Sequence, residues 1–309
     1  MTYYFTDSDR SIEEGVRRIA VGQIDKAIAE IQDRDLDAQE TVHQVRKRCK
    51  KLRGLIRLVR PSFPDYSREN RILRDAASTL SIIRDTQANI DAFDTLIGEY
   101  ENQIEKSTFA SIRRCLDAQR RKIRENRGLQ EKLSDFHGNM VESRHRATDW
   151  TIDDCGFEAL AGGLGKTYKR ARKAMYQAEK DPVASKLHEW RKRIKYHWYH
   201  ARLLREAWPE VVRAHRDGAA DLAALLGDHH DLAILRDTLL KEPAAFGAPA
   251  DLEALVGLIE RRQAALQVEA FALGRKVLAE KRSALLCRWG AYWTVWESEK
   301  KAREEALAA

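Results

Sequence analysis

The sequence predicts an all-α protein, and three observations predict it. Ala, Leu, Arg, Lys and Glu are abundant while the 309 residues include only six prolines, a composition suited to long helices. Apolar residues recur three and four apart along most of the chain, the period of a helix with one buried face. No stretch alternates apolar and polar residues as a half-buried strand would.

Taken in order, Ser11-Ile12-Glu13-Glu14 has the form of a capping box and opens a helix that runs to about Gln32. Asp37 caps the next helix, and Pro61 stops it because proline cannot continue the hydrogen-bond ladder. A third helix is expected from Tyr66 to Asp85 and a fourth from about Asn89 to Asn126, broken near Ser107 and Thr108, with a further helical stretch to about Arg146. Between Asp149 and Gly165 the charge periodicity fades and glycines gather. That patch is expected to join two halves, 1–150 and 151–309. The second half then runs from Leu164 to Lys180, is punctuated at Asp181-Pro182, and continues in a helix ending at Trp208-Pro209. A third helix leads to Gly227-Asp228, a short one precedes Pro243 and Pro249, and Asp251 opens a long one. The last, near Ser283 to Glu305, carries Trp289, Tyr292, Trp293 and Trp296, whose spacing suits a core.

The stretch Val42 to Val59 organises the chain. Val42, Val45, Cys49, Leu52, Ile56 and Val59 fall on one seam at about 100° per residue. On the opposite side lie His43, Arg46, Lys47, Lys50, Gly54 and Arg57, flanked by Arg48, Lys51 and Arg53. Like charges at i, i+3, i+4 and i+7 repel one another, so an anionic partner is the expected reason for the stripe. The same layout returns 145 residues later. His188, Arg191, Lys192, Lys195 and Arg202 repeat the register of His43, Arg46, Lys47, Lys50 and Arg57, and Leu187, Trp190, Ile194, Ala201 and Leu204 repeat the seam. Two copies point to an internal repeat. A third stripe, Lys166, Lys169, Arg170 and Lys173, precedes the second copy.

His43-x-x-Arg46-x-x-x-Lys50-Lys51-x-Arg53 and His188-x-x-Arg191-Lys192-Arg193-x-Lys195 resemble the paired signatures of the CHAD family, the conserved histidine α-helical domain. A Leu-x-x-x-Arg-Asp element, seen as Leu80 to Asp85 and again in the run Leu225 to Leu232, adds to the likeness. Trp198 in place of Arg53, His197 in place of Leu52 and His230 in place of Arg84 depart from strict repetition. The resemblance implies two helical bundles of four or more helices each, related by an approximate two-fold axis around a basic central channel, and it implies association with inorganic polyphosphate and its granules.

Read from the residues themselves, a linear chain of phosphates also fits rows of Lys and Arg rising about 1.5 Å per residue. The expected polyphosphate-binding set is His43, Arg46, Lys47, Lys50, Lys51, Arg53, Arg57, Lys169, Arg170, Lys173, His188, Arg191, Lys192, Lys195 and Arg202. Other phosphate polyanions are expected partners too. Neither catalytic residues nor cofactors nor metal ligands are expected. A protonated His43 or His188 would strengthen binding as pH falls through about 6.5. Asp85 and Asp231 are read as positioning or capping acids.

Two other readings stay open. Asp228-His229-His230-Asp231, with His197 or His200 upstream and Asp237 downstream, resembles the sites of helical metal-dependent phosphohydrolases, although surrounding cations would repel a divalent metal. A nucleic acid would also match a basic stripe, but single-strand readers interleave aromatics with it, and the first stripe has none. Glu297-x-Glu299-x-Lys301 fits the string of triphosphate-tunnel enzymes, yet sits on a helix where those carry it on a strand, and is read as chance.

Lys and Arg number 55 against 48 Asp and Glu, a net charge of +7 that suits a polyanion partner. The four cysteines, Cys49, Cys115, Cys155 and Cys287, form no paired spacing and are read as reduced thiols. The first 15 residues lack a basic segment followed by an apolar one, and no run of 18 apolar residues occurs. Cytoplasmic residence without membrane insertion is the expectation.

Overall fold

The computed structural model describes residues 2–124 and 128–308, without the side chains of residues 81–85, 106, 122–124 and 307–308. The described residues form eleven α-helices and no strand: α1 (Ile12–Gln32), α2 (Ala38–Leu58), α3 (Tyr66–Ser78), α4 (Ser81–Glu99), α5 (Ala110–Arg124), α6 (Gly128–Ala147), α7 (Glu158–Lys180), α8 (Ala184–Leu203), α9 (Pro209–Lys241), α10 (Pro249–Val277) and α11 (Arg282–Ala308). The all-α fold read from the sequence is the fold of the protein.

Local chemistry sets the helix ends. Ser11 Oγ accepts from the Glu14 N–H at 3.1 Å, while the Glu14 carboxylate reaches the Arg10 N–H, one residue earlier than a strict capping box. Asp37 Oδ1 accepts from the Gln39 and Glu40 N–H groups, both at 2.8 Å, a cap that stabilises α2 by about 1 kcal/mol.

Four boundaries differ from expectation. The helix expected from Tyr66 to Asp85 breaks at Thr79 and Leu80, where the Ser78 and Thr79 hydroxyls donate to the terminal carbonyls of Asp75 and Ala76 and so satisfy groups the ladder leaves open. The Leu80 to Asp85 element therefore opens α4, and the side chains of Arg84 and Asp85 lie outside the described residues. In the second half α8 stops at Leu203, and Pro209 begins α9, a position where its missing N–H is harmless. α9 runs unbroken through Gly227 and Asp228, since Leu222, Leu226, Leu232 and Leu235 keep a buried face on both sides of the glycine.

The glycine patch is the fourth. It lies mostly inside α7, which starts at Glu158. A Cβ on Gly163 would stand 1.9 Å from the Leu58 carbonyl oxygen, and one on Gly162 would stand 2.7 Å from Pro61 Cγ. These glycines let α7 press on the end of α2, and the chain passes from one half to the other just before them.

Apolar side chains gather into two clusters. The larger joins α1, α2, α3 and α6 to α7, α8, α11, the first half of α9 and the end of α10. The smaller joins α4 and α5 to the second half of α9 and to α10. Both draw on residues from either side of position 150. Trp289, Trp293 and Trp296 are buried in the larger cluster as their spacing suggested. None of the helices, among the described residues, is long and apolar enough to cross a membrane.

A candidate polyanion-binding site

The seams of the two signature helices are core. Val42, Val45, Cys49, Leu52, Ile56 and Val59 are fully buried, and Leu187, Trp190, Ile194, Ala201 and Leu204 nearly so. With those faces turned inward, α2 and α8 pack against each other at Gly54 and Tyr199. A Cβ on Gly54 would stand 3.0 Å from Tyr199 Cβ. His200, fully buried, donates from Nε2 to the Gly54 carbonyl at 3.1 Å, and the bond fixes its tautomer because a carbonyl only accepts.

This packing brings cations from the two helices together. The Lys195 amine lies below its ordinary range because of burial and then of Arg191 and, across the gap, Lys47. His188 is lowered to about 4, first by burial and then by Lys192, Arg191 and the α2 residue Lys50, which together outweigh Glu189. Lys47, Lys50, His188, Arg191, Lys192 and Lys195 thus share one cationic surface. The His188 ring stacks on His230 of α9 with centroids 3.8 Å apart, and His230 is lowered to about 3 by burial, by His188 and by Arg191. Arg191 Nε and His188 Nδ1 are buried with no hydrogen-bond partner among the described residues.

Other expected binding residues are placed elsewhere. Arg46 donates to the Ala77 carbonyl at the end of α3 at 2.5 Å, and Arg53 donates to Asn70 Oδ1 at 3.3 Å. Lys51 is buried and lowered to about 7, mainly by desolvation and then by Arg48, Arg202, Lys47 and Lys26. Arg202 lies between the rings of Tyr3 and Trp198. Arg57 and Arg170 line a separate small pocket with Arg60, Lys166 and Arg193. Lys169 and Lys173 are exposed on α7. His43 borders a cleft of about 490 Å³ at the head of α2, together with Asp37, Glu40, Gln87, Asp91 and Arg120. The two signature histidines therefore meet unlike surroundings, one among acids and the other among cations.

The sequence reading missed three participants. His230 was visible as the counterpart of Arg84 and Arg193 as a member of the second signature, though neither was placed in the binding set, whereas Arg60 was inconspicuous among many surface arginines. The Asp228 to Asp231 run does not converge. His229 accepts from Gln267 at 3.0 Å, His230 turns to His188, and Asp228 and Asp231 line a cleft with Asp91, Glu99 and Arg262. Burial and the neighbouring Asp231 raise the Asp228 carboxyl.

Residues 19–240 match the family model of the CHAD domain. The chain belongs to the CHAD family. This CHAD domain also resembles the crystal structure of the CHAD domain from the plant Ricinus communis, with a TM-score of 0.62 over 91% of this chain and 96% of that one. The two are 17% identical, so the likeness is one of fold. No curated protein matches the sequence. The family match ends within α9, yet α10 and α11 contribute buried residues to the two clusters of the CHAD domain.

Proposed function

We propose that this CHAD domain binds inorganic polyphosphate along the facing cationic sides of α2 and α8, without catalysing a reaction on it. The observation that carries this reading is the approach of Lys47 to Lys195 and of Lys50 to His188 across the two helices, beside Arg191 and Lys192. In the free protein His188 and Lys195 are depressed by burial and then by these neighbouring cations. A row of phosphates relieves that repulsion, and Arg191 offers a planar guanidinium to phosphate oxygens while the lysines act as point charges. The family's general association with polyphosphate supports the same ligand, and recruitment to polyphosphate granules in the cytoplasm is the use that follows.

The decisive experiment reverses Lys47, Lys50, Lys192 and Lys195 together to Glu. Lys47, Lys50 and Lys192 are exposed, so helicity by circular dichroism should persist while binding of a labelled polyphosphate is lost. Unchanged affinity sinks the assignment. In the unmodified protein, release of about six counterions should weaken binding roughly 100-fold between 50 and 150 mM salt, taking the single-strand coefficient for other polyanions. Tighter binding of RNA than of polyphosphate at fixed salt would turn the reading toward nucleic acid, and phosphate release with Mg²⁺ or Mn²⁺ would turn it toward a hydrolase.

A further inference from the structure

A second concentration of positive charge lies at the far end of the α2–α8 contact. Arg57 at the end of α2, Arg60 in the turn after it, Lys166 and Arg170 of α7, and Arg193 of α8 line one small pocket around Tyr196. Five cations from four segments converge there. Arg193 is paired with Glu189, a carboxylate that also holds Lys192. The other four have no carboxylate partner among the described residues. Arg57 donates to the Arg53 carbonyl and lies 4.1 Å over the Tyr196 ring, and Arg60 lies 4.6 Å over Tyr66. The crowding is felt: the Lys166 amine is depressed first of all by Arg60, with burial and Arg170 adding to it.

A structural explanation for the cluster exists and is too small. The last carbonyls of α2 abut Gly163 beside the pocket, and a helix C-terminus carries about half a negative charge. That offsets a fraction of four unpaired cations.

The opposite end of the same contact supplies a comparison. Residues related by the 145-residue shift meet there in mirrored fashion: Arg57 lies over Tyr196 at one end, and Lys51 neighbours Arg202 at the other. At the Lys51 end the N-terminal segment fills the space. The Tyr3 ring lies 5.6 Å from both Lys51 Nζ and Arg202 Cζ, its hydroxyl donates to the Lys51 carbonyl at 2.7 Å, and Tyr4 lies 3.5 Å from the guanidinium of Arg205, the counterpart of Arg60. At the Arg57 end the cations line a pocket instead. The pocket is small, about 20 Å³, room for about one water-sized group such as a phosphoryl oxygen and not for a sugar or a base.

We propose that the pocket formed by Arg57, Arg60, Lys166, Arg170 and Arg193 is a discrete binding site for a compact, multiply charged phosphoryl anion, held with one phosphoryl oxygen inserted and the rest at the mouth. The proposal stands whether or not the Lys47–Lys195 surface binds a long chain. Two sources share this chemistry, a free diphosphate-sized anion and the terminus of a phosphate chain.

Titration calorimetry with inorganic pyrophosphate tests it on the unmodified protein, on the Lys166→Glu/Arg170→Glu variant and on a charge-matched Lys241→Glu/Lys281→Glu variant at exposed positions outside both basic surfaces. Lys166 and Arg170 are exposed, so the fold should survive their change, and Lys166→Gln/Arg170→Gln provides a milder version. The expected result is at least tenfold weaker pyrophosphate binding in the first variant, with the second within about twofold of the unmodified protein. No heat of binding in the unmodified protein, or equal affinity in the pocket variant, overturns the proposal. Saturating pyrophosphate followed by a long polyphosphate then separates the sources. Chain affinity reduced threefold or more assigns the pocket to a chain terminus, and unchanged chain affinity assigns it to a free anion.

Discussion

Arg46 of α2 and Arg191 of α8 stand at equivalent positions of the repeat, each one turn from its signature histidine, yet their surroundings diverge. Arg46 is bonded to the Ala77 carbonyl of α3, Arg48 is paired with Glu30 of α1, and Arg53 reaches Asn70 of α3. On α8, Arg191 stands against Gly227 of α9; its Nε, like that of Arg46, is buried without an acceptor among the described residues, but no bond to a neighbouring helix corresponds to the one Arg46 makes to Ala77. Histidines show the reverse imbalance. α8 contains His188, His197 and His200, the last two fully buried, against His43 alone on α2. One motif thus became a helix whose arginines tie neighbouring helices together, and another whose Lys192 and Arg193 are tied within the helix to Glu189 around a histidine-rich core. A repeat preserves which face is cationic; it does not preserve which cations find acceptors.

Acid should expose that contrast most strongly. His197, His200 and His215 are all held below the ordinary histidine range by burial, His200 to about 3 and His215 to about 4. The unfolded chain takes up these protons near pH 6.5 and the folded chain does not. Stability from these groups is therefore complete above about 6.5 and drains away as pH falls toward 4. At pH 5 the loss is about 2 kcal/mol for each such group, together comparable with the whole stability of many domains. Thermal melts at pH 7 and pH 5 should differ sharply, and hydrogen exchange should show α8 opening before α2. Equal melts at the two pH values would contradict the buried neutral state. By the same sign, His188 starts near 4, so any strengthening of polyanion binding by its protonation falls between that starting value and the value the bound state reaches.

Replacing the equivalent arginines one at a time gives a smaller and more discriminating effect. Arg46→Ala removes a charged donor from the Ala77 carbonyl and should cost about 1–3 kcal/mol of folding stability. Arg191→Ala gives up no protein hydrogen bond through Nε and should leave the melting temperature nearly unchanged while weakening polyphosphate binding at least threefold. Denaturant titrations and binding isotherms on the two variants measure both quantities. Should they lose stability alike, the division of labour between the helices disappears.

The all-α class and the two-sided character of α2 and α8 were legible because a 3.6-residue period is a property of the chain alone. Val42 to Val59 therefore reads correctly without a partner. What acceptors lie opposite each cation was not legible, since the Ala77 carbonyl is available to Arg46 only because α3 ends at Thr79, and that break is set by local hydroxyl bonds. Glycines had a second role for a related reason. In sequence, Gly162, Gly163 and Gly165 mark the joint between halves; in space Gly163 and Gly162 also serve the close approach of α7 to Leu58 and Pro61. The pocket of Arg57, Arg60, Lys166, Arg170 and Arg193 was beyond reach in the same way, because its members come from four segments whose adjacency only tertiary packing creates.

The smallest expected effect concerns Gly227, at the midpoint of α9. A Cβ there would lie 3.2 Å from Arg191 Nε and 3.3 Å from its terminal nitrogen, so the neighbour that must yield is the far end of a flexible side chain. In a helix interior Ala is favoured over Gly by about 1 kcal/mol. Gly227→Ala should therefore leave stability unchanged or slightly raised. Its consequence falls on position: Arg191 is moved off the glycine, and polyphosphate affinity should change two- to threefold without any charge being altered. No counterpart of this effect should exist on α2, where the Ala77 carbonyl fixes Arg46. A Gly227→Ala variant with unchanged affinity would mean that the cationic surface needs the charge of Arg191 but not its placement, and the α2–α8 site would then be a diffuse electrostatic field instead of a shaped one.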